Sequence, residues 1–196
     1  MDEMRIGHLY NLEITAESSA LVGTAALATG LAFAARRLAH LSPVAAVAAG
    51  LTGALLHWTS DICHQLGHAR AARSTGYPMS SLHCRHVLVT SRYPTDEPEL
   101  PAEIHVRRAL GGMPASLALG LAAVIPALAL RRRGGVLGFL ATLLCLDNLL
   151  VLGLGALVPL GFTDGSTLLT WVPRLTWKQP SPSLRHSSRR VKEVSN

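Results

Sequence analysis

Long uncharged apolar runs, separated by short charged segments, organise most of this chain. The first runs from Ser18 to Ala35, with Glu17 before it and Arg36 and Arg37 after it. The second opens at Ser42-Pro43, a pair suited to a helix N-terminus, stays uncharged from Leu41 to Ser60, and continues in a helical pattern through Asp61 to Ala72. A third covers Ala109–Leu130, between Arg107-Arg108 and Arg131-Arg132-Arg133. The fourth, Gly134–Phe162, carries Asp147 and Asn148 in its middle and ends in a break at Pro159 and Gly161. A helix needs about 20 mostly apolar residues to cross a hydrocarbon core, so the pattern predicts four transmembrane helices, the last kinked or broken. The acidic lead-in Asp2, Glu3, Glu13 and Glu17, in place of a basic one, makes the first run a retained span and not a cleaved signal.

Composition agrees with this picture. Of the 196 residues 49% are hydrophobic and 15% charged, against roughly 25% charged in an average soluble domain. The 17 glycines and a 5% aromatic share suit close-packed membrane helices. An ordinary soluble domain is excluded. The net charge of +6 does not point to nucleic acid, because the basic residues flank the apolar runs; the partner they imply is the lipid bilayer. The three cysteines, Cys63, Cys84 and Cys145, form no disulfide framework. Residues 1–175 therefore read as one membrane-embedded, all-α unit, and residues 176–196 as a basic, disordered tail. With four spans, all of the 18 basic residues except Arg36, Arg37 and Arg131–Arg133 fall on the side of the two termini, which is then cytoplasmic.

Ionisable residues inside a span are costly and mark function. Here His57, Asp61, His64 and His68 fall within roughly 60° of one another at 100° per residue, one polar stripe on an apolar rod. His64 and His68, four residues apart, can aim both imidazoles at one ion and form half of a zinc site, which still needs a ligand from another segment. Asp164 is the candidate, because it lies in a segment broken by Pro159 and Gly161 at a membrane boundary, where irregular backbone lines polar cavities. His57 and Asn148 are candidates for orienting a ligand or lining a water path.

In order along the chain, several stretches resemble the site-2 protease family of membrane-embedded zinc metalloproteases. They are Arg5–Ile14 ahead of the first span, His64-Gln65-Leu66-Gly67-His68-Ala69 beside that family's HExxH-A signature, Gly111–Ser116 beside its small-residue element, and Pro159–Gly165 beside its segment ending in LDG. The resemblance implies a Zn2+ ion held by His64, His68 and Asp164, and cleavage of a transmembrane or membrane-proximal polypeptide in the cell membrane of a prokaryote. It also implies a short re-entrant or β-like element between helices two and three. There Val87, Leu88 and Val89, in a β-branched stretch before Tyr93-Pro94, would pair with an extended substrate.

Two departures bear on activity. The family's general base is the Glu after the first histidine, and Gln65 stands there, unable to take a proton near neutral pH. The family's NxxP asparagine falls on Ala156, with Asn148 two turns earlier. Three accounts stay open: a pseudoprotease that keeps fold and metal and regulates membrane-protein segments, an enzyme drawing its base from Asp61, or an engineered Glu→Gln substitution. His83-Cys84-Arg85-His86 also gathers metal-capable side chains, in a loop without a matching second half.

Overall fold

The computed structural model describes residues 3–176; the tail read over 176–196 lies, beyond its first residue, outside the described residues. Each apolar run is helical. The first forms α1 (Ser18–Leu38), about 32 Å long at 1.5 Å per residue. The second forms α2 (Pro43–Ser74), whose Ser42 hydroxyl accepts the Ala45 N–H at 3.3 Å, with Pro43 in the first turn. Then come α3 (Ala102–Ala109), α4 (Gly112–Arg131) and α5 (Gly135–Leu146). At the expected interruption the fourth run does not stop: α5 widens into a π-helix over Asp147–Leu154, then a 3-10 turn over Gly155–Leu157. A loop leads from there to α6 (Asp164–Trp171).

One expectation needs correction and another is met in part. The chain is not all-α: a four-stranded sheet, β1 (Glu3–Leu9), β2 (Leu12–Glu17), β3 (Ser81–Arg85) and β4 (Leu88–Arg92), is ordered β1-β2-β3-β4. The outer pairs are antiparallel and β2–β3 is parallel, so α1 and α2 form the connection between the two hairpins. The first hairpin turns on Tyr10 and Asn11, both at positive φ (49° and 68°), as a two-residue turn requires. Of the four expected spans, three are long and apolar enough to cross a membrane among the described residues, Ser18–Leu38, Ala102–Arg131 and Gly135–Leu157, while α2, 32 residues, is long enough but less apolar. α2 is less apolar because it carries His57, Asp61, His64, Gln65 and His68, and because Ala and Gly take much of the stretch before them.

Protein covers that polar half. One side packs on the sheet through a cluster of Leu12, Ala16, Ala69, Ala72, Leu82 and Val89. The other meets the α3–α4 junction at backbone distance, since a Cβ on Gly111 would lie 2.7 Å from the Gly67 carbonyl oxygen. Small residues substitute for hydrophobic driving force in this setting by letting helices approach closely. Large apolar side chains such as Leu21, Val47, Leu51, Leu121 and Ile125 are left exposed on the outside of α1, α2 and α4, as a lipid-facing surface requires.

Candidate metal centre

One helical turn separates His64 from His68, and their Nε2 atoms lie 3.0 Å apart. Asp164, the first residue of α6, brings Oδ2 to 3.3 Å from His64 Nε2 and Oδ1 to 3.2 Å from His68 Nε2. Backbone geometry at the loop aims it. Thr163 accepts the Leu160 N–H at 3.2 Å and donates to the Val158 carbonyl at 2.5 Å, and Gly161 takes φ 90°. Gly165 packs on the Leu157 carbonyl, where a Cβ has no room.

The opposite edge of each imidazole is held. His68 Nδ1 lies 2.7 Å from the Arg108 carbonyl oxygen, which only accepts, so the proton sits on Nδ1 and the Nε2 lone pair points inward. His64 Nδ1 pairs with Ser116 Oγ at 2.9 Å on α4. Arg108 is fixed in turn by two bonds to Glu97 (2.6 and 3.0 Å), by the Tyr77 carbonyl, and by stacking 4.0 Å over Tyr93. Neither Ser116 nor Arg108 stood out in the sequence; the only trace was Ser116 at the end of the Gly111–Ser116 element.

This donor set fits a zinc ion. In a tetrahedral site with bonds near 2.05 Å the ligand atoms stand about 3.3 Å apart; here the two Nε2 atoms are 3.0 Å apart and each has one Asp164 oxygen, Oδ2 or Oδ1, at 3.3 or 3.2 Å, with one atom from each of the three residues within 4.8 Å of the other two. Asp164 Oδ2 is buried without a hydrogen-bond partner, and an inward lone pair on His68 Nε2 faces the other ring, an arrangement that a cation resolves. Within the described residues these three side chains form the single His/Cys/Asp/Glu group close enough to share an ion.

The rest of the stripe diverges from them. His57 turns to the start of the π-helix, with Nδ1 3.1 Å from both Asp147 carboxylate oxygens and Nε2 2.9 Å from the Val87 carbonyl oxygen. Asp61 accepts the Val89 N–H at 2.6 Å. Gln65 donates to the Val89 carbonyl at 2.7 Å and accepts from Ser91 Oγ at 2.6 Å. Asn148 touches neither ligand ring; it donates to Ser60 Oγ and the Leu144 carbonyl. Val87, Leu88 and Val89 run into β4, the sheet edge beside α2. His83 and Cys84 belong to β3 instead of a loop, and His83 is spent on Thr15, Glu3 and Glu17.

Two cavities meet at the centre. An apolar one of about 400 Å³ lies between β4 and the Val151–Phe162 segment. A more polar one of about 420 Å³ extends past Tyr93, His105, Arg108 and Trp171. Gln65, Val89, Thr90 and Asp164 line both.

No protein-family model and no curated protein sequence matches the chain. Among solved structures, a site-2 protease from Methanocaldococcus jannaschii superposes with a TM-score of 0.60 over 90% of this chain and 74% of its own, at 17% identity. The chain is thus a membrane protein with the fold of a site-2 protease, and two histidines and an aspartate converge in its interior.

Proposed function

We propose that this protein is a site-2-protease-like zinc metalloprotease, acting on peptide bonds in or near the bilayer, whose hydrolytic step is impaired by Gln65. The observation that carries the reading is the convergence of His64, His68 and Asp164, one ligand atom from each within 4.8 Å of the other two, at the junction of two cavities. A zinc ion there would supply a water acidified toward pH about 7 and a Lewis acid for the scissile carbonyl. The chain itself provides the orientation of both imidazoles, through Arg108 and Ser116, and a dry wall of Val151, Leu152 and Leu160 beside the reacting bond.

A proton acceptor is what the site lacks. Gln65 cannot take a proton, and the Asp61 carboxylate is occupied by the Val89 N–H. That engagement favours a second reading, a pseudoprotease that retains metal and client binding and regulates the fate of membrane-protein segments. In both readings the partners are a transmembrane or membrane-proximal polypeptide and the lipid bilayer, with no nucleic acid. With α2 counted as a span beside the other three, the protein sits as a multi-pass component of a prokaryotic cell membrane, both termini cytoplasmic.

The test is zinc content per chain together with cleavage of a transmembrane reporter, for the parent and the His64→Ala, Asp61→Ala and Gln65→Glu variants. Cleavage by the parent that disappears in Asp61→Ala supports the enzyme. A silent parent and an active Gln65→Glu variant support the pseudoprotease. A parent that binds no zinc, even when zinc is offered back, sinks both.

A further inference from the structure

β4 is an edge strand, and an edge strand presents unpaired N–H and C=O groups as a template for another extended chain. Here α2 occupies that template with side chains. Val89 turns its N–H and its C=O away from β3, and Asp61 accepts the one while Gln65 donates to the other. This is the donor and acceptor pattern that a residue of a neighbouring strand would present. One step earlier the Val87 carbonyl faces His57. The spacing makes this possible: four residues advance a helix by about 6 Å, and two residues advance a strand by about 6.7 Å. Side chains at 57, 61 and 65 therefore keep step with the outward backbone groups at 87 and 89.

The two halves of the contact differ. Asp61 is 2% exposed and spent on a backbone N–H, whereas Gln65 lines both cavities where they meet beside His64 and Asp164. A carboxamide suits the second position, because it donates to the Val89 carbonyl and accepts from the Ser91 hydroxyl at once. A carboxylate cannot donate, and would set a charged oxygen against the carbonyl.

We infer that Gln65 is a clasp standing in for a paired strand on β4, and that an extended polypeptide binds by displacing it from Val89 and Ser91 and donating its own N–H to the Val89 carbonyl. The inference rests on the reading of the cleft as a site where an extended polypeptide pairs with β4, and adds that the chain's own Gln65 competes for that edge, so that a ligand needs a free backbone N–H to replace it at the Val89 carbonyl. Gln65 is in this sense a positioning residue that keeps the edge closed at rest.

The experiment uses the full-length, zinc-supplemented protein in detergent and a fluorescein-labelled octapeptide of alternating Val and Ser, followed by fluorescence anisotropy. Gln65→Met conserves side-chain length and removes both clasp bonds. The expected result is affinity about fivefold tighter than the parent, equivalent to about 1 kcal/mol, with no gain for the same peptide fully N-methylated. Ser91→Ala, which leaves α2 untouched, is expected to give a smaller gain in the same direction and serves if Gln65→Met does not fold. The clasp is overturned if neither variant binds the peptide more tightly than the parent, including the case in which nothing binds. It is equally overturned if the N-methylated peptide gains as much, since the added affinity is then apolar contact. Zinc content, measured on the same samples, separates this from failure of the metal reading, which shows as an empty parent whatever the peptide does.

Discussion

Replacing Gly112 by alanine tests whether the two imidazoles are held in the geometry described. Gly112 opens α4 with its Cα against both rings; an added Cβ would lie 2.5 Å from His64 Cε1 and against both Nε2 atoms, where ordinary contact begins near 3.4 Å. The rings must therefore retreat by about 1 Å, several times the roughly 0.2 Å within which metal–ligand distances are held. Alanine is at home in a helix, so the damage would fall on the site and not on α4. Losing a group that merely orients one ligand lowers metal affinity about 10- to 100-fold. With two ligands displaced, we expect zinc affinity at least about 100-fold weaker than the parent's. The assay is competition with a fluorescent zinc chelator in detergent, with Gly30→Ala as control, because a Cβ at Gly30 meets nothing within 4 Å. If Gly112→Ala takes up one zinc per chain with affinity within threefold of the parent, the reasoning is refuted.

Further consequences can be measured. Ser116→Ala removes the partner of His64 Nδ1 and should weaken zinc binding about 10- to 100-fold with the fold intact; unchanged affinity would mean that the bond does not orient the ring. Glu97→Gln leaves the Arg108 guanidinium, 6% exposed, without its charge partner. The expected cost is about 3–5 kcal/mol, seen as a thermal midpoint lower by roughly 10 °C, and a midpoint within 2 °C (on the order of 1 kcal/mol) of the parent would contradict it. At the sheet, a Thr15 hydrogen bond and the Arg92 contact push Glu3 down to about 2, and the His83 hydrogen bond lowers Glu17. Both carboxylates are thus more acidic folded than unfolded, so their stabilisation is complete above the ordinary value of 4.5 and is lost as pH falls toward 2. Thermal midpoints should drop between pH 5 and pH 3 (roughly one unit either side of an ordinary carboxyl), and Glu3→Gln/Glu17→Gln should flatten the drop; equal slopes in parent and variant would exclude these groups as its source.

Local signals made much of this molecule legible in its sequence. Hydrophobic runs depend only on composition over about 20 residues, so α1, α4 and α5 follow from them, as does the disturbance at Asp147-Asn148, which the structure absorbs as a π-helix. The four-residue spacing of His64 and His68 is likewise a property of one helix, and the Asp164-Gly165 pair marks its loop because Gly165 has no room for a side chain. Tertiary structure decided the rest. Strand pairing joins segments far apart in the chain, such as Glu13 with Ser81. Hydropathy weighs α2 by its own residues and cannot register that a sheet and two helices cover its polar half. Angular position on a helix wheel groups His57, Asp61, His64 and His68, but packing assigns them to different neighbours: Asp147 of the π-helix and β4 take the first two, and Asp164 takes the last two. Ser116 and the Arg108 carbonyl become partners of the ligand rings only because Gly67 and Gly111 let α2 and α4 approach to backbone contact, a distance that no single segment encodes.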